Sequence, residues 1–382
     1  MKKVLFLFSI LVSIFCLFSC QKKPQGEGVS LNQTMRQIEQ NLSDLFPYMF
    51  NEKKFQEQKN KDLIVQKIKD IKDLFHTAKP HFDKKNVAFQ ISSQVIDDYL
   101  AQLYTVTQKN PNEFAQKMLK NIPSLCISCH TQDQKERHIF KQMSAETFSH
   151  DFEYAEYLYM TRSYHEAVEV YTKVLNEKSV DEQIQLGALR RVLAVLIQMD
   201  KKPKEALDFF KNYSKSGKLY PFNAKIVEGW IVGINEWIKK DELLLAQKDF
   251  ASLSSFISKH FEQKLDLSSS DFALQADKEQ IFYLRLSKLL YTYAEKASVE
   301  QIPSILYFLS LCDRALNFSY FYSLADLYLK ECVTHYSQSP VAKQCYKEYE
   351  EHTIFSFTGS RGTDLPSDVK QELQKLKSML KN

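Results

Sequence analysis

The residues in this chain with the most specific chemistry are Cys126-Ile127-Ser128-Cys129-His130. Two cysteines three positions apart match the two vinyl groups of one haem and form thioethers with them, and the adjoining histidine is directed at the iron as proximal ligand. Seven cysteines and nine histidines in 382 residues would produce this pattern by accident about 0.003 times. Three other chemistries share parts of the motif. A thioredoxin-like redox pair needs a strand before its first cysteine, and residues 112–125 read as helix. A zinc site needs two further ligands at suitable spacing, and the chain has no second Cys-x-x-Cys. A plain disulfide would leave His130 without a role. One covalent haem c is therefore the expected cofactor, with Cys126 and Cys129 as thioether anchors and His130 on the iron.

Four amphipathic segments lead up to and carry the motif. Leu31, Met35, Ile38, Leu42, Leu45 and Met49 step by four and three, the spacing that lines one helix face. A second stripe, Ile64, Ile68, Ile71, Phe75 and Ala78, ends before Pro80, and a third runs Phe89, Ile96, Tyr99, Leu103 and Val106 and stops before Pro111. The tract Asn110-Pro111-Asn112-Glu113 supplies an N-cap, a first-turn proline and an acidic residue for a fourth helix with Phe114, Met118 and Ile122, which must kink or restart at Pro123. Four such helices joined by short links predict a four-helix bundle over residues 31–148.

A haem-binding pentapeptide at the end of the fourth helix of such a bundle resembles the cytochrome c-prime and cytochrome c556 family. The resemblance covers about a third of the chain and implies a haem clasped between the first and last helices, with a sixth iron position filled from the first turns of helix one. Met35 stands at that place. A methionine there implies six-coordinate iron suited to electron transfer, whereas a bulky apolar residue implies a five-coordinate iron open to small gases. Met35 equally fits the helix-one stripe as core packing. Met49 lies nearly four turns further along, and Met118, Met143, His138 and His150 read as packing or surface residues. Arg36, Lys135 and Arg137 are the cations near the motif that suit a haem propionate.

The chain opens with Lys2 and Lys3, an uncharged apolar run from Val4 to Phe18, then Ser19-Cys20 and a polar stretch. That pattern reads as a secretory signal over residues 1–19, shorter than a membrane-spanning helix. Leu17-Phe18-Ser19-Cys20 resembles the lipobox of bacterial lipoproteins, which implies that Cys20 becomes the lipidated first residue of the mature chain. Residues 20–30, with Pro24, Gly26 and Gly28, form a polar tether with a reach of about 35 Å. The expected location is the bacterial cell envelope, anchored to a membrane and facing the periplasm or exterior. The formal net charge of +4 includes both N-terminal lysines, and elsewhere the two signs are interspersed, which argues against a nucleic-acid partner. Eight glycines and ten prolines point to an all-α protein.

From about Phe152 the pattern changes. Ala155, Leu158, Tyr164, Ala167, Tyr171 and Leu175 resemble the packing positions of a tetratricopeptide repeat, although Tyr159 follows a slot where that family has a small residue. Ala194, Ile197, Ala206 and Phe210 suggest a second copy. Ala167 and Ala206 lie further apart than the period of about 34 residues, so an insertion separates the copies. The pattern degrades after Leu219, while Tyr283 to Leu311 and Leu324 to Tyr349 keep a helical period. A helical array is expected over residues 149–350, followed over 351–382 by a glycine-containing loop and a helix starting near Pro366. Of the three remaining cysteines beyond the signal, Cys312, Cys332 and Cys345, the last two could bridge consecutive helices in an oxidising compartment or all could be free and buried, and the odd count leaves at least one unpaired or bonded between chains.

These readings converge on a membrane-tethered mono-haem cytochrome in electron transfer, its array docking a redox partner protein, since stacked hairpins form protein-binding surfaces. No nucleophile, base and oxyanion constellation marks it as an enzyme. The alternative classes are a haem-based gas or redox sensor and an envelope scaffold lipoprotein.

Overall fold

The computed structural model describes residues 30–49, 51–81, 87–130, 143–161, 163–263, 272–294, 296–316, 324–360 and 362–380. The protein is all-α: apart from one antiparallel pair of two-residue strands, its regular elements are helices. Among the described residues no helix is long and apolar enough to cross a membrane. The proposed signal over 1–19, Cys20 and the tether up to Gly28 lie outside the described residues.

The N-terminal body consists of α1 (Leu31–Met49), the single-turn α2 (Glu52–Gln56), α3 (Gln58–Ala78), α4 (Val87–Lys109) and α5 (Glu113–His130). Most stripe positions read from the sequence become its interior, with Leu42, Leu45, Met49, Ile64, Ile68, Ile71 and Leu103 all buried, whereas Phe114 of the fourth stripe is exposed. Polar contacts fix the directions of the helices. Lys67 of α3 reaches Asn41 (3.0 Å) and Asp44 (2.7 Å) of α1, while a groove nearer the start of α1 is lined by Gln37 with Leu74 and Thr77. Later residues of α3 thus meet earlier residues of α1, and the two run antiparallel. Lys79 pairs with Asp97 at 2.9 Å and Lys72 lies over the Tyr104 ring, so α4 reverses again. The Tyr99 hydroxyl donates to the Met118 carbonyl (2.8 Å) across the short link into α5. Consequently α5 is antiparallel to α1, and the Gln116 amide donates to the Tyr48 carbonyl at 2.8 Å.

Two local expectations need correction. Asn112 caps α5 by accepting from the Ala115 amide at 3.0 Å, so Pro111 precedes the helix and is not in its first turn. The helix also continues past Pro123 rather than restarting there, since a proline removes one backbone hydrogen bond without ending the segment.

The rest of the chain stacks α6 (Asp151–Met160), α7 (Tyr164–Leu175), α8 (Glu182–Ala194), α9 (Pro203–Lys215), α10 (Pro221–Lys239), α11 (Glu242–Ala246), α12 (Phe250–Gln263), α13 (Phe272–Ala294), α14 (Ile302–Leu316), α15 (Ala325–His335) and α16 (Ala342–Ser356). Strands β1 (Thr358–Gly359) and β2 (Gly362–Thr363) then lead to α17 (Ser367–Met379). Ala155, Leu158, Tyr164, Ala167, Tyr171 and Leu175 are all buried where α6 meets α7, and Ala194, Ile197, Ala206 and Phe210 are buried further on. A π-helical turn, Val195–Met199, extends α8, and Pro203 starts α9 at its first turn. The stretch Tyr283 to Leu311 is helical as its period suggests, divided between α13 and α14. Helix α16 runs through position 350 to Ser356, so the glycine loop begins later than the boundary at 351.

Helix α10 packs along α13 at close range. A methyl group added at Gly233 would lie 2.5 Å from the Lys278 carbonyl oxygen, which only glycine tolerates. The N-terminal body contacts the array in two separate places. Helix α5 meets α6, with Phe46 edge-on to Tyr157 at 5.0 Å, and α4 meets both α13 and α15.

Candidate haem site

The pentapeptide forms the last turn and a half of α5. Its backbone is described; the side chains of positions 126–130 lie outside what the structure describes. The buried stripe of this helix is Ala115, Met118, Leu119, Ile122 and Leu125. Continued at helical spacing, that stripe runs onto positions 126 and 129, with 130 at its edge.

The partner helix at this level follows from register. Tyr48 of α1 meets Gln116 of α5, and both helices rise 1.5 Å per residue in opposite directions. Thirteen positions back from Tyr48 is Met35, and thirteen positions on from Gln116 is Cys129, each about 20 Å along its helix. Met35 thus stands level with the last turn of α5, to within about one turn. Met49 is fully buried at the opposite end, beside the start of α5. Packing also loosens toward the motif end of α1: Leu42, Leu45 and Met49 are sealed, whereas Leu31 and Met35 are half-buried against the core. Helix α1 lies closely on α3 but meets α5 more sparingly. The residue types at this level, two cysteines and a histidine in the last turns of α5 and a methionine in α1, are donors of the kind an iron porphyrin takes.

The other sequence candidates are spread out. Met118 is buried, and its carbonyl is held by Tyr99. Met143 is half-buried, and its amide donates to the Tyr157 hydroxyl at 3.1 Å. His150 is exposed and precedes α6 as its N-cap residue. Arg36 is exposed in the first turns of α1, within reach of the motif level. Lys135, Arg137 and His138 lie outside the described residues. A polar groove between α1 and α3, lined by Gln37, Gln40, Asn41, Asp70, Asp73, Leu74 and Thr77, opens on a different seam, and its carboxylates and amides suit a porphyrin poorly.

Cys332 and Cys345 form a disulfide that joins α15 to α16, with Cα atoms 6.3 Å apart. Cys312 is a free, buried cysteine on α14, and burial pushes its thiol well above the ordinary range.

Sequence reading missed one buried charge pair. Glu156 on α6 receives both Nε (2.9 Å) and Nη2 (3.0 Å) of Arg191 on α8, and the Tyr171 hydroxyl of α7 donates to the same carboxylate. Arg191 also stacks 4.8 Å from the Tyr159 ring centre. The pair ties three helices together, and its members stand 35 positions apart, beyond any local pattern. No protein-family model matches the chain, and neither a curated protein nor a solved structure matches it.

Proposed function

We propose that the protein is an exported, lipid-tethered mono-haem c-type cytochrome that carries electrons. Its N-terminal body would be a four-helix bundle of the cytochrome c-prime kind, followed by a tetratricopeptide-like array that docks a redox partner protein. The observation that carries the reading is the Cys126-x-x-Cys129-His130 motif on the last turn of α5, level with Met35 of α1. Cys126 and Cys129 would each add a thiol across one vinyl group, giving thioethers with no by-product. When bound, the iron porphyrin supplies a one-electron couple.

The chain's own residues set the properties of that couple. His130 would hold the iron from the α5 side, and the Met35 thioether would favour the ferrous state from the α1 side. The fully packed layers from Leu42 to Met49 close the bundle beyond the site and keep water from one end of it. Two further features support export. The sequence opens with a signal-like run, and the Cys332–Cys345 disulfide suits an oxidising compartment.

The test is a pyridine haemochrome spectrum on protein exported from a host with haem-attachment machinery. Colour that survives acid-acetone extraction, and is lost in a Cys126→Ala/Cys129→Ala variant, supports the reading. Colourless protein with two titratable thiols at these positions overturns it.

A further inference from the structure

We draw no further inference here: the strongest candidate, the exposed apolar patch of Ile354, Phe355 and Phe357 at the end of α16, sits beside the β1–β2 pair, and nothing in the structure shows what covers it.

Discussion

Replacing Arg191 with methionine should expose how the first hairpin of the array is held. The change removes two charged donors from Glu156, whose side chain is only 19% exposed, and leaves the Tyr171 hydroxyl as its remaining hydrogen-bond donor in that network. Stranding one member of a buried pair costs about 3–5 kcal/mol, and the lower end applies here because both side chains keep some contact with water. In a chain of this length that lowers the thermal midpoint by roughly 5 °C. The sign of the pH dependence is the sharper readout. In the native protein burial pushes the Glu156 carboxyl up, but the Arg191 charge and the hydrogen bonds of Arg191 and Tyr171 outweigh it, so the group titrates below its ordinary value of 4.5. The stability this provides is complete at neutral pH and is lost as pH falls through that lowered value. Without Arg191 the upward push of burial is opposed only by the Tyr171 hydrogen bond, so protonating Glu156 becomes easier. The deficit of the variant should then shrink between about pH 7 and about pH 5. A Glu156→Gln/Arg191→Met double variant should recover most of the loss. Circular dichroism melts at several pH values measure all three. A single variant that melts with the wild type, or a deficit that grows on acidification, would refute the reasoning.

Gly233→Ala should destabilise by about 1–3 kcal/mol, since the new methyl meets a backbone carbonyl and α10 must lift from α13. Gly187→Ala, whose methyl meets only the Phe152 ring edge at 3.2 Å, should cost clearly less in the same urea titration. Reducing the Cys332–Cys345 bond, which closes a loop across 13 positions, should cost about 3 kcal/mol, seen as a lower midpoint in reductant. In haem-loaded protein, Met35→Leu should abolish the methionine–iron absorption band and lower the potential, whereas Met49→Leu should leave both unchanged. An unaltered spectrum in Met35→Leu would remove that residue from the iron.

The helical class and the interior stripes were legible because amphipathic spacing records which face is buried. Leu42, Ile64, Leu103, Ala155 and Phe210 all lie in the core where periodicity placed them. The single turn Glu52–Gln56 escaped notice because five residues hold too little periodicity, although the cap from Asn51 to the Lys54 amide and the buried Phe55 were local signals. Pro123 misled because a proline costs a helix one bond, and packing of Ile122 and Leu125 on either side outweighs that loss. At the candidate site the pentapeptide could be read directly. Its level with Met35 needed the Tyr48–Gln116 contact, which links residues 68 positions apart. The Glu156–Arg191 pair and the meeting of α4 with α13 and α15 are likewise long-range and leave no periodic trace.

Helical arrays usually behave as open springs that fray from whichever terminus is weaker. Here the chain fastens its own spring at two points, since the N-terminal body grips α6 near the start and α13 and α15 near the far end. Fraying of the late helices would strip α4 of its outer support and weaken the layer that carries the pentapeptide. Loss of either region should therefore drag the other with it, giving one steep melting curve for nearly the whole described chain where a free array would melt in stages.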